Sequence, residues 1–473
     1  MKIQSENFLS NENPLSLLKR KNSILEGLTF KELNFTIPKI KEKRISEHEF
    51  LYVYHDPTLP IVNLNILFEG GIESQPHDEP ALLPILVEVW ENGGANGKGP
   101  EEISEALAEL GVEFQISLHQ EIILVEMYVL KDNFQKAFSI LKEILLKPEF
   151  SEERLHTTKL KFKDNLKRRN DKPEQIASRK IKELFEHPRK VFESISPEEI
   201  DKVQKRDLIH AYQKILKTRR MHVTIDGDLE GIPYEEMISS LSEEMGEIQN
   251  PFVLHKENKP KLGRQDLKNT ILLIEKNVPQ AVIVLGTKVP SYNDPKNFSL
   301  RSSNYILGGG SFVSKMMREI RVKRGLAYYA YSHIRFFHEE GRFTSSTGTN
   351  VNQAPESLKI MLDLIENFHL YVSDEDVEIT KEALINSHVF EFSNPTRILR
   401  SIVLERIYQT PENYLVLFPS KIRSITKKEI IQDFQSYITA NQLWIVVVGP
   451  RSLEKELKKF NRKVLIFDPD QPL

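Results

Sequence analysis

An α+β fold made of two copies of one lobe, each an antiparallel sheet with helices packed on one face, is what the sequence predicts. Two observations carry this. Three landmarks recur in order at nearly constant offset. Gly111 ends a helix ahead of a strand pair, as Gly325 does 214 positions on; Ser151 caps a long helix, as Ser373 does 222 positions on; and Gly227 follows the run VTIDG as Gly449 follows IVVVG, again 222 positions on. Repetition at a fixed period marks a duplicated unit, and the order of strands and helices within each copy suits antiparallel pairing with helices on one side. Residues 246–268 lose apolar periodicity and gather Pro251, Pro260 and Gly263, as a linker between compact units does. The expected organisation is a polar arm over 1–30, a first lobe over 31–245, a linker over 246–268 and a second lobe over 269–473.

Composition bounds the function. At 473 residues the chain exceeds one ordinary core, and 40% hydrophobic with 28% charged residues describes a globular protein. A net charge of −3 supplies no general attraction to nucleic acid or anionic membrane, so neither is expected as a partner. The absence of cysteine excludes disulfides, thiolate zinc sites and a cysteine nucleophile. Residues 1–29 hold no signal-type apolar run, since Lys19, Arg20 and Lys21 interrupt the best candidate, and no stretch has transmembrane length. A cytoplasmic location is the expectation.

The elements follow in order. The basic run KIKEKR at 39–44 reads as a solvated edge. Residues 50–55 and 61–71 are strands around a Pro-bounded turn. Residues 81–92, rich in Leu, Ile, Val and Trp90, form a buried helix ended by Gly93 and Gly94. Pro100, Glu101 and Glu102 open the next helix, where proline and acids suit the N-terminus. Residues 112–130 are two strands turning near His119 and Gln120, and 134–146 an amphipathic helix. Ser151 caps a long basic helix, Pro173 opens another to 185, Ser196 starts one to 216, and 221–227 and 234–245 are a strand and a helix. Asp226 and Asp228, flanking Gly227, read as turn residues. After the linker come strands at 270–274 and 281–286, a helix at 298–306, a strand at 342–349, helices at 355–371, after Ser373 and at 426–437, and a strand at 443–449.

The informative stretch is 308–332: Gly308, Gly309 and Gly310, then SFVSKMMREIRVKRGLAYYAYS. Met316, Met317 and Ile320 recur at helical spacing, Gly325 stops the helix, and an aromatic strand follows. A guanidinium at Arg321 and a phenol at Tyr328 are strong donors that suit one anionic oxygen.

This stretch resembles the second half of peptidase family M16, the pitrilysin- and insulinase-like inverzincins, in which a helix ends R-x-K-x-G-L-A-Y. The resemblance runs over about residues 35–460 and implies the two-lobed M16 metallopeptidase-like fold. It also implies that Arg321 and Tyr328 are the family's catalytic and substrate-binding Arg/Tyr pair. Active members carry H-x-x-E-H on the buried first-lobe helix, two zinc ligands and a general base. Here that position falls on Pro84, Ile85, Leu86, Val87 and Glu88, and the third-ligand region near Asp164 and Asn165 lacks a clear glutamate. Proline offers no lone pair to a metal and valine moves no proton, so no metal site is expected in this chain. His48, His55, His333, His338 and Glu339 are not spaced as a replacement, and Gly308–Ser311 lacks the phosphate-loop lysine.

An intact pair beside an absent zinc motif matches the zinc-free subunit of bacterial heterodimeric M16 peptidases. The expected partners are then a zinc-bearing M16 subunit with HxxEH and an unfolded peptide substrate, with zinc in the partner and no cofactor in this chain. The alternatives are a non-enzymatic scaffold or peptide binder of the same fold, and an independent enzyme with an unorthodox metal site.

Overall fold

The structure, a computed structural model, describes residues 38–76, 78–186, 191–251, 264–411 and 413–473. The expected N-terminal arm and the centre of the expected linker, 252–263, lie outside the described residues.

Six strands of the first half share one sheet: β1 (Lys41–Arg44), β2 (Glu49–His55), β3 (Ile61–Glu69), β4 (Glu113–Leu118), β5 (Ile122–Leu130) and β6 (Met221–Gly227), in the order β1-β2-β6-β3-β5-β4. Every neighbouring pair is antiparallel except β2 and β6. Side chains alternate between faces with period two. One face presents Leu51, Val53, Leu64, Ile66, Phe68, Val125, Val223 and Ile225 to helices α1 (Leu82–Asn92), α2 (Pro100–Glu109), α3 (Phe134–Leu146) and α4 (Glu152–Arg168). Trp90 of α1 is fully buried there and its indole N–H donates to the Ile144 carbonyl at 2.9 Å, which removes the cost of burying that donor. Helices α5 (Pro173–Phe185), α6 (Lys205–Thr218) and α7 (Tyr234–Met245) complete this half. The helix expected over 196–216 breaks at Val203, because Asp207 accepts from the Gln204 N–H and caps a new start.

The second half repeats the plan: β7 (Thr270–Glu275), β8 (Gln280–Val289), β9 (Ala327–Phe336), β10 (Gly341–Asn350), β11 (Trp444–Gly449) and β12 (Lys463–Phe467), in the order β12-β7-β11-β8-β10-β9. Only β7 pairs in parallel, with β11 and β12. Its helices are α8 (Asn297–Asn304), α9 (Ala354–Glu366), α10 (Asp374–His388), α11 (Pro395–Ile407), α12 (Tyr414–Ser424) and α13 (Lys427–Tyr437). The capping serines match in geometry as well as position: Ser151 accepts from Arg154 N–H and Ser373 from Asp376 N–H.

The two halves exchange a helix. Pro173 and Pro395, 222 positions apart, each open a 13-residue helix. Helix α5 leaves its own sheet and buries Ile176, Ala177, Ile181, Leu184 and Phe185 against Leu272, Ile274, Val282, Val284 and Trp444 of the second sheet. Gly286 on β8 permits this approach, since a Cβ there would lie 2.8 Å from the Ile181 side chain. Helix α11 makes the reverse crossing, setting Leu399, Val403 and Ile407 on Phe50, Tyr52, Leu67, Ile122 and Leu124 of the first sheet.

One expectation is made specific and two change. The basic run is edge strand β1, with Lys41 and Lys43 both bonded to Glu235, the latter at 2.8 Å; lysines on an edge strand discourage pairing with other chains. Helices α11 and α12 and strand β12 were not anticipated. Asp226 is no turn residue: it is buried in β6 under α11, accepting from Asn63 at 2.8 Å and from the Thr396 hydroxyl at 2.9 Å. Burial pushes its carboxyl up to about 6.

A second buried carboxyl ties the halves. Glu121, in the β4–β5 turn, accepts from the His338 N–H of the β9–β10 turn at 2.8 Å. Burial pushes its carboxyl up to about 7 against the opposing hydrogen bonds from His338 and Tyr408. A carboxyl raised in the folded state holds its proton more tightly there than in the unfolded chain. Its stabilising share is therefore full below the unfolded value near 4.5 and lost as pH rises through about 7. We predict that the unfolding free energy from urea titrations falls between pH 5 and 7.5, by up to about 1.4 kcal/mol per pH unit for each such group. Glu121→Gln, which keeps the acceptor, should flatten that fall; an unchanged slope in the variant would refute the assignment.

No helix of the described residues is long and apolar enough to cross a membrane.

Candidate functional site

The rim of the second half is built from the glycine stretch. Helix α8 runs into a π-helical turn, Tyr305–Gly309, and there Gly308 presses on the edge strand β9: a Cβ would sit 2.3 Å from the Ser332 nitrogen. A 3-10 turn, Ser311–Val313, leads to a second π-helical turn, Met317–Val322, which carries Arg321. The expected helix is thus wound wider than an α-helix, a form concentrated at functional sites. Met316, Met317 and Ile320 are buried and anchor it, and Lys315 ties it to Asp376 at the start of α10 at 2.6 Å. Gly325, at φ +64°, then turns the chain into β9.

Both predicted residues lie on this rim, on either side of Gly325. Tyr328 is 67% exposed. Arg321 is exposed, with its guanidinium 5.4 Å from the Phe312 ring. Neither has an ion-pair or hydrogen-bond partner for its side chain among the described residues, while neighbouring Lys323 and Arg324 both pair with Glu319. Phe312, Val313 and Val322 are exposed around them. Two donors held on an anchored segment, with no side-chain hydrogen bond among the described residues, can donate to an outside oxygen.

The first half offers no such chemistry. On α1, Ile85, Leu86 and Val87 are buried, and Glu88 receives the Lys161 ammonium of α4 at 2.7 Å. Asp164 is paired with Arg168 at 3.0 Å. A lysine thus faces the one carboxylate at the position of the metal motif, and no group of three or more metal-ligating side chains occurs among the described residues. Zinc does not fit the position of the metal motif on α1, where Val87 is buried and Glu88 is paired with Lys161. His338 is placed by Glu121 and stands in no metal-ligating group.

One feature gave no signal in the sequence. Glu91, at the end of α1, accepts from the Ile116 N–H at 2.8 Å, and burial raises its carboxyl above the usual range. The bond from His119 N–H to Ile122 O sets the alternation of the β4–β5 ladder, so the Ile116 N–H points away from β5. The free edge of the first sheet is therefore partly occupied by its own side chain.

Two cavities, of about 840 and 820 Å³, flank β9 and share Tyr331 and His333.

The comparisons agree with this architecture. The family model described as insulinase (peptidase family M16) matches residues 62–195, and that described as peptidase M16 inactive domain matches 202–384. A Helicobacter pylori protein named non-peptidase homolog YmxG is 21% identical over 402 residues, covering 84% of this chain and 91% of that protein. The solved peptidase M16 inactive domain from Pseudomonas fluorescens superposes with a TM-score of 0.76 at 21% identity, covering 87% of this chain and 98% of that one. A protease from Helicobacter pylori superposes at 0.73 and 14% identity, covering 88% and 100%. Matched in both halves by models of one family and built on the same duplicated lobes, this chain belongs to peptidase family M16, as a member whose first-half helix lacks the metal-binding residues.

Proposed function

We propose that this chain is the zinc-free subunit of a split M16 peptidase, working in the cytoplasm on unfolded peptides. It helps to enclose the peptide and presents Arg321 and Tyr328 to it, while a partner subunit bearing HxxEH supplies zinc, the attacking water and the base. The observation that carries this is the pair itself: a guanidinium and a phenol on an anchored rim, without hydrogen-bond or ion-pair partners among the described residues, in a chain whose metal position holds Pro84, Val87 and a Glu88–Lys161 ion pair. Arg321 and Tyr328 donate hydrogen bonds to the substrate carbonyl beside the scissile bond, and those bonds strengthen as negative charge develops on its oxygen. The peptide pairs as an added strand on a sheet edge of the partner. Occupation of the Ile116 N–H by Glu91 supports that choice, since the corresponding edge here has one of its outward donors already taken.

A second reading, a non-enzymatic peptide binder or scaffold, is favoured by the similarity to a protein named as a non-peptidase homolog. Affinity purification of the tagged chain from its native cells separates the two. Recovery of a protein of similar size carrying HxxEH, with chelator-sensitive peptide hydrolysis in the eluate, is the expected result. Recovery of the chain alone and without activity would overturn the split-enzyme reading.

A further inference from the structure

We propose that Thr349 and Thr347 of β10 are positioning residues for Tyr328: their buried hydroxyls hold the backbone on either side of a β-bulge, and the bulge turns the Tyr328 phenol out of the core and onto the rim. This rests on the reading that Tyr328 donates to the substrate carbonyl, and it names what aims that donor.

The bulge shows in the register of β9 against β10. From Phe336 opposite Gly341 to Tyr329 opposite Gly348 the pairing is regular, and the next pair is Ala327 opposite Thr349. Strand β9 therefore carries one residue more than β10 at this point, and that residue is Tyr328. Side chains on a strand alternate between faces, and Ala330, Ser332, Ile334 and Phe336 are buried on one of them. Carried back without interruption, the same alternation would bury Tyr328. The extra residue breaks the count: Ala327 takes the buried place and Tyr328 is exposed. Bulges re-aim side chains in this way beside active sites.

Three hydroxyls hold the irregular backbone. Thr349 Oγ1 donates to the Leu326 carbonyl, before the bulge, at 2.6 Å, and Thr347 Oγ1 donates to the Tyr329 carbonyl, after it, at 2.8 Å. Ser357 Oγ on α9 donates to Thr349 Oγ1 at 3.3 Å, which leaves the threonine proton for the carbonyl. Thr347, Thr349 and Ser357 are all fully buried, so each bond lost would leave a polar group without water to replace it. Leu326 N–H donates to the Ile320 carbonyl at 3.0 Å, and the chain thus enters the bulge from the anchored segment that carries Arg321. Gly348 completes the setting: a Cβ there would lie 2.6 Å from the Tyr329 ring, so that ring lies across the glycine. A donor to a developing oxyanion acts only where it already points at the place the charge will form, and a displacement of about 1 Å can cost about 10² in rate.

The test is a double-mutant cycle on the assembled complex recovered by affinity purification, read as kcat and KM. Thr349→Val keeps the shape of the side chain and removes the hydroxyl. We expect it to lower kcat at least about tenfold with KM within about twofold, and Thr347→Val to act in the same direction. Thr349→Ser, which keeps the hydroxyl, should stay within about threefold of wild type. In a Tyr328→Phe complex, where no phenol is left to aim, Thr349→Val should change kcat by less than about threefold. On the chain alone, amide exchange over residues 326–330 should quicken in Thr349→Val while that of 331–336 stays as it was; unchanged exchange would overturn the proposal. An equal loss with and without the Tyr328 hydroxyl would make the threonines structural only and overturn it too. So would wild-type kcat in Thr349→Val where Tyr328→Phe is impaired, and the split-enzyme reading would then stand. Wild-type turnover in Tyr328→Phe would instead remove that reading of Tyr328, and the proposal with it. Should Thr349→Val lose its cooperative thermal transition, Ser357→Ala, which removes only the bond orienting the Thr349 hydroxyl, carries the same cycle with an expected loss of about threefold.

Discussion

Tyr328→Phe is expected to lower peptide hydrolysis by the assembled complex about 10²–10³-fold, the usual cost of losing one donor to a developing oxyanion. The substitution removes a single hydroxyl from a side chain that is 67% exposed, so the fold and the partner interface have little reason to change. Because the lost bond is worth most in the transition state, kcat should carry the loss and KM should move little. Arg321→Ala should cost a similar factor and also raise KM, since it removes the guanidinium resting over Phe312. Arg321→Lys should not restore the rate, because an ammonium lacks the planar fork. Steady-state kinetics on complexes shown to be assembled by gel filtration decide the matter. Wild-type turnover in the Tyr328→Phe complex would remove Tyr328 from the mechanism.

Phe185→Ala is expected to cost about 3–5 kcal/mol of stability, the usual range for emptying a buried aromatic site. Phe185 is the last residue of α5, 2% exposed, packed edge-on against Trp444 with ring centroids 5.1 Å apart, and covered by the Arg342 guanidinium at 5.6 Å. It therefore fastens a first-half helix to the second sheet. Since each sheet owns a helix from the other half, neither unfolds without baring the other, and urea denaturation should show one transition that shifts as a whole. Two separate transitions, with one unmoved by the substitution, would show that the exchange does not couple the halves.

The features legible in the sequence were those written locally. The glycine turn, the Gly325 stop and the strand after it depend on neighbours a few residues away, as do the capping serines at 151 and 373. Those same local rules exposed the repeat. The helix exchange was not legible, because the apolar stripe of α5 reads the same whichever sheet it covers. Asp226 shows the same limit: its neighbour Gly227 is confined by a backbone clash, with a Cβ lying 2.0 Å from the Ile61 carbonyl, but the burial of Asp226 depends on Thr396, far along the chain. At the candidate site the sequence order put Arg321 and Tyr328 on either side of the Gly325 stop, and the structure leaves both exposed there. The Glu88–Lys161 and Glu91–Ile116 contacts join residues whose meeting no spacing announces.

The crossing of α11 also sets a timetable for synthesis. The first sheet is complete when Gly227 has emerged, yet its second face waits for a helix that ends at Ile407, 180 residues later. At translation speeds of about 5–20 residues per second this delay is roughly 10–40 s, during which Phe50, Tyr52 and Leu67 face the solvent. In that interval the nascent chain bares an apolar sheet face that its own later helix covers in the finished fold. A gene split between the halves would yield two fragments, each missing the helix that seals its sheet.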